Sequence, residues 1–159
     1  MTRAAILAVS DTRAQGVRAD TATPRLQHVL EEAGFQVSET ALVPDETKQI
    51  QARLIDWADR LGLPLIVTTG GTGCGPRDVT PEATRAVIER EVPGIPEAMR
   101  ASTAQHNPLA WLSRAVAGLR GRTLIINLPG NPEGAKECLE ALLPVLPHAL
   151  EMINGCDHG

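Results

Sequence analysis

Two aspartates, Asp45 and Asp78, flank a stretch with four glycines in six positions, Gly70-Gly71-Thr72-Gly73-Cys74-Gly75. Such a loop allows close backbone approach and presents a row of free N–H groups, which suits an anion, above all phosphate when a helix begins beside it. Carboxylates next to a phosphate loop are a natural seat for Mg2+, which takes one or two carboxylates plus water and substrate oxygens. Asp45 and Asp78 are therefore the candidate catalytic and metal-holding acids, with solvated turn aspartates as the plain alternative. Neither GxxxxGK[ST] nor GxGxxG is present, so other groups must offset the charge of a bound phosphate. Cys74 has no histidine near it in sequence, which leaves a thiolate nucleophile unsupported.

The elements that must position these residues read as alternating strands and helices. Residues 65–69 form an apolar, β-branched run of the kind buried in a parallel sheet, and it feeds the glycine loop directly. After the loop, Thr80 is placed to cap a helix with Pro81 in its first position. Upstream, residues 4–9 predict a first strand ending at Ser10-Asp11-Thr12, followed by a polar loop over residues 13–23. A helix is expected from Pro24 to Gly34, then a strand over residues 35–43 ending at Pro44-Asp45-Glu46. Ile50, Leu54, Ile55, Ala58 and Leu61 mark the next helix, closed by Gly62. Downstream come a short helix through Ala83, Val87 and Ile88 and another from Pro96. Extended segments over residues 113–118 and 122–128 read as a hairpin added to the sheet edge, with Arg120 and Arg122 near its tip. A second tight turn, Pro129-Gly130-Asn131, opens a helix over residues 132–153 that Pro144 and Pro147 should kink or split. The whole is a Rossmann-like α/β fold, a three-layer sandwich around a mostly parallel β-sheet with an edge hairpin. Parallel strands would bring the turns at Ser10, Asp45, Gly70 and Gly130 to one edge, where such sheets bind ligands.

Composition narrows the function classes. At 159 residues and 43% hydrophobic content, the chain is expected to form one domain over residues 1–159. A net charge of −4 and three aromatics, Phe35, Trp57 and Trp111, leave neither a basic field nor a stacking platform for nucleic acid. Three widely spaced cysteines suggest no disulfide framework, and no apolar stretch reaches the length of a signal-peptide core or a membrane span. A cytoplasmic protein without membrane or nucleic-acid partners is expected. The terminal Cys156-Asp157-His158 reads as a frayed end rather than a metal site.

Several motifs in order carry a family resemblance: Val9-Ser10-Asp11-Thr12, Val43-Pro44-Asp45-Glu46, Gly70-Gly71-Thr72-Gly73, Arg77 to Ala83, Leu112 to Gly118, and Leu128-Pro129-Gly130-Asn131-Pro132. Nearly the whole chain resembles the molybdopterin adenylyltransferase family, departing from it at Thr21-Ala22-Thr23, where a Ser-Gly pair is usual. The resemblance implies a trimeric enzyme that transfers AMP from ATP, with Mg2+, to the terminal phosphate of molybdopterin, and hands its product to a molybdenum insertase. It implies that Asp45 and Asp78 organise Mg2+, and that Gly70, Gly71, Thr72, Gly73, Cys74 and Gly75 with Pro129, Gly130 and Asn131 hold the nucleotide. Ser10, Asp11, Ser113 and Arg114 would then contact the pterin substrate. A pterin carrier of the same fold, without turnover, is the alternative.

Overall fold

The computed structural model describes residues 1–155. Strands that are apolar on both faces become the centre of the sheet: β1 (Thr2–Val9) is buried from Ala4 onward, and β3 (Leu65–Thr69) and β6 (Thr123–Leu128) are buried throughout. They are joined by β2 (Phe35–Val43), β5 (Ala117–Arg120) and the two-residue β4 (Arg90–Glu91) in the order β2-β1-β3-β6-β5-β4. β2, β1, β3 and β6 run parallel; β5 is antiparallel to β6, and β4, antiparallel to β5, returns to the common direction. Because side chains alternate along a strand, β1 feeds two cores. Ala4 and Ile6 pack with α2 (Ala22–Glu32), α5 (Gly94–Ala104), α6 (Pro132–Leu142) and α7 (Leu146–Ile153). Ala5, Leu7 and Val9 pack with α3 (Thr47–Ile55) and α4 (Thr80–Val87). Helices on both faces give the three layers expected.

The registers matter for the site. Val9 pairs with Val43, Ala8 with Thr69, and Thr69 with Leu128, so four parallel strands end level with one another. Everything that follows these residues in the chain therefore emerges along one edge.

Several local expectations are corrected. The segment after Ser10 is not all loop: Asp11–Ala14 forms a short helix, α1, because the Ser10 hydroxyl accepts the Arg13 N–H and caps it. Helix α2 begins at Ala22 rather than Pro24, since Asp20 receives both the amide and the hydroxyl of Thr23, at 3.2 and 2.5 Å. That bracing occupies the stretch that departs from the family pattern. Thr80 does not cap α4; its buried hydroxyl donates instead to the Gly70 carbonyl at 2.9 Å. The hairpin exists, but β6 is an interior strand paired to β3, and the edge is β4, which is too short to show in a sequence pattern. Residues 113–116 lie outside any strand and follow a 3-10 turn at Pro108–Leu112. A π-helical turn, Asp56–Arg60, extends α3, and the long C-terminal helix is divided between α6 and α7 around Pro144. The terminal Cys156-Asp157-His158 lies outside the described residues.

One polar residue locks the sheet centre beneath the site. Asn127 is fully buried; its Nδ2 donates to Thr68 Oγ1 and Thr84 Oγ1, and its Oδ1 accepts from Val116 N. Asn127→Ala strands an amide N–H and two hydroxyls in an interior where each unsatisfied group is costly, so a loss of about 3 kcal/mol is expected in urea unfolding.

Candidate functional site

The glycine loop is held down from the end of β6, from Thr80 and from Arg114. Gly70 N donates to Leu128 O at 3.1 Å, and Thr69 Oγ1 donates to Pro129 O at 2.7 Å, which ties the β3 and β6 exits together. Arg114 staples the far side of the loop: its backbone N donates to Thr72 O, and its guanidinium donates to Gly73 O, Asp78 O and both Glu82 oxygens, most at 2.7 Å. A planar fork of fixed donors suits this bridging of two carbonyls and a carboxylate, which a lysine would not reproduce.

The acids form a second layer. Asp11 and Asp45 exchange bonds, each backbone N–H donating to the other's carboxylate at 2.9 Å. Arg77 then clamps Asp11 through Nε and Nη2 at 3.0 and 3.1 Å and reaches Glu46 at 2.9 Å. That guanidinium, followed by the Asp45 amide, holds the Asp11 carboxyl below the usual aspartate range. Asp45 goes the other way: burial first, then the nearby Asp11 and Asp78 charges, raise its pKa. The reason is visible in its bonding, because Asp45 Oδ1 is buried with no hydrogen-bond partner while Oδ2 holds Asp11 N. Asp78 is braced within the loop, its Oδ2 accepting from Gly75 N at 2.9 Å. Asp45 and Asp78 fit Mg2+, since an orphaned carboxylate oxygen beside a second acid is what a hard cation satisfies. Among the described residues no three His, Cys, Asp or Glu side chains gather into a protein-only cage, so substrate oxygens and water would complete such a site.

Two cavities open along this edge and meet at Gly71, Asp78, Gly130 and Asn131. The smaller, about 360 Å³, contains Ser10, Asp45 and Gly70. The larger, about 620 Å³, contains Thr72, Gly73, Ser113 and Pro129, and an apolar wall of Met99, Leu109 and Leu112. Asp11, Cys74, Gly75 and Arg114 line neither: Asp11 and Arg114 act from behind, and Cys74 is exposed with its thiol toward Leu112 O. Sequence reasoning missed Arg13 and Arg18 in the small cavity and Arg100, His106, Asn107 and Glu137 in the large one. Arg13 sits just after the end of β1, a positional signal that could have flagged it, and Arg18 lies beyond α1; the others depend on how α5 and α6 pack. Arg120 is spent elsewhere, on Asp59 and Val87 O.

A level parallel edge carrying a glycine loop, paired acids and two joined cavities is the end of an α/β sheet at which such proteins bind ligands. The chain belongs to the family described as a probable molybdopterin binding domain, whose model matches residues 5–148. It is 42% identical over 152 residues to the molybdopterin adenylyltransferase of Helicobacter pylori strain J99, covering 94% of this chain and 86% of that one. With the enzyme of that name from Escherichia coli K12 it shares 43% over 143 residues, 88% and 73% of the two chains. The solved structure of the molybdopterin biosynthesis enzyme MoaB from Thermus thermophilus superposes with a TM-score of 0.94 at 54% identity, covering both chains in full.

Proposed function

We propose that this protein is a nucleotidyltransferase that moves AMP from MgATP to the terminal phosphate of molybdopterin, releasing pyrophosphate. The observation that carries the proposal is the meeting of the two cavities at Asp78, Gly71 and the Gly130-Asn131 turn, beside the orphaned Asp45 oxygen. The larger cavity, with its apolar wall, suits a flat heteroaromatic ring; the smaller, polar one suits phosphate. A phosphate monoester is mostly dianionic at neutral pH, so its oxygen attacks the α-phosphorus without a strong general base. The new P–O bond forms as the bond to pyrophosphate breaks. What the chain must do is align two polyanions and offset their repulsion. The glycine loop contributes backbone N–H groups, and Arg77 and Arg114 fix the loop and the acids in place. Asp45 and Asp78 would hold Mg2+, which supplies charge neutralisation at the reacting phosphates.

Incubation with MgATP and molybdopterin should yield adenylylated pterin and pyrophosphate. Tight pterin binding with no product would instead favour a carrier. A cytoplasmic homotrimer that passes its product to a molybdenum insertase is the cellular arrangement proposed by family analogy. Light scattering should return a trimeric mass, and a stable monomer at micromolar concentration would count against that assembly.

A further inference from the structure

The charge of a bound phosphate still needs a cation, and the arginines around the site differ in what they have left to give. Arg77 is tied to Asp11 and Glu46, Arg114 to Gly73 O, Asp78 O and Glu82, and Arg100 Nη1 to Ser113 O and Ala115 O. Arg13 is different. Its Nη2 donates to Gly130 O at 3.2 Å, which fixes the guanidinium against the β6 turn, while its Nε is buried without an acceptor. Among the described residues only two buried side-chain polar atoms lack a partner, Arg13 Nε and Asp45 Oδ1, and both residues line the small cavity. One is a donor on a cation and the other an acceptor on an anion, yet neither satisfies the other. A ligand that presents oxygens to Arg13 and a cation to Asp45 would complete both.

We infer that Arg13 is a phosphate-holding cation of the small cavity, which Arg18 also lines, its Nε donating to a non-bridging phosphate oxygen of the bound substrate. This rests on the proposed AMP transfer for the identity of the substrate, but the geometry asks only for a phosphate. Arg13 reaches the cavity because Ser10 caps α1, so the short helix that sequence patterning overlooks is the device that aims it. Two sources can supply that phosphate, the nucleotide's polyphosphate or a monoester, and simple probes separate them.

The test is calorimetric titration of the full chain with inorganic tripolyphosphate and, separately, phenyl phosphate, each with and without Mg2+. Arg13→Gln should weaken at least one probe tenfold or more. Arg122→Gln, the same charge change at the exposed hairpin tip, should stay within twofold of wild type. Loss confined to tripolyphosphate assigns Arg13 to the nucleotide, and loss confined to phenyl phosphate assigns it to a monoester. Arg13→Lys, which keeps the charge without the planar fork, should fall between and serves if the glutamine variant does not fold. Arg13→Gln gives up the Nη2 bond to Gly130 O but also removes the unpartnered Nε from its buried position, so Tm should change little while phosphate affinity falls; a purely structural arginine would lower Tm and leave the affinity of the folded protein unchanged. Unchanged binding of both probes, equal losses in Arg122→Gln, or a wild type that binds neither probe overturns the inference. The probes contain neither pterin nor adenosine, so a wild type that binds them through Arg13 yet makes no adenylylated product would sink the transferase proposal alone.

Discussion

Asp45→Asn is expected to cut AMP transfer about a hundredfold while leaving the protein at least as stable as wild type at neutral pH. The size of the loss follows from removing a charged group at an electrostatically driven centre, which commonly costs about 3 kcal/mol of transition-state stabilisation. The stability follows from the bonding. Asp45 Oδ2 holds Asp11 N, a bond that an asparagine carbonyl can keep, and Oδ1 holds nothing. Its pKa is raised by burial and by Asp11 and Asp78, so the ionised form is disfavoured in the folded state. A carboxyl with a raised native pKa binds its proton more tightly when folded, and wild type therefore gains stability as pH falls through that raised value towards the ordinary aspartate range. The Tm advantage of Asp45→Asn should accordingly be largest near pH 7 and shrink on acidification. Asp78→Asn should lose activity comparably but is the less clean variant, because Asp78 Oδ2 also receives Gly75 N. The double variant should lose less than the sum if the two acids share one ion. Wild-type turnover in both single variants, measured as single-turnover product across a Mg2+ range, would sink the assignment of these acids. A strongly destabilised Asp45→Asn would show that the Asp45 carboxylate supports the fold rather than being disfavoured in it.

What was legible in the sequence follows physical range. Residues 65–69 announce a buried strand because five consecutive apolar or β-branched residues leave no other use for them, and Gly34 and Gly62 end their helices at positive φ. The level ends of β1, β2, β3 and β6 follow from parallel topology, so the gathering of Ser10, Asp45, Gly70 and Gly130 could be argued before any coordinate. Elements defined by only a few contacts were not legible. Strand β4 has two residues, α1 has four, and the π-helical turn at Asp56–Arg60 has no periodic signature. The division of labour among arginines was hidden for a different reason. Arg13, Arg77 and Arg114 are chemically identical in a sequence, and only their partners show that Arg77 and Arg114 brace the site while Arg13 faces a cavity. The Thr80 hydroxyl likewise had two partners open to it, and the Gly70 carbonyl across the loop won over a helix cap.

The glycine loop carries the other large effect, and Gly70→Ala should expose it. Gly70 has φ +106°, a region that costs an L side chain strain of roughly 1–3 kcal/mol wherever it occurs. A Cβ there would also stand 2.2 Å from Val9 O, with Val9 C at 3.3 Å. That carbonyl belongs to β1, which is held between β2 and β3 and has no flexible end to move aside. Overpacking against fixed backbone adds about 1–3 kcal/mol, so a total near 4 kcal/mol is expected, enough to unfold a marginal domain. Gly16→Ala separates the two contributions, since Gly16 has φ +78° and nothing within 4 Å of an added Cβ. It should lose only about 1 kcal/mol, the backbone strain alone. Urea denaturation of both variants measures the difference, which is the cost of pressing the loop onto the end of β1. Equal losses in the two would mean that the loop is not seated against Val9, and the alignment of the Gly70 and Ser10 turns on which the small cavity depends would fail with it.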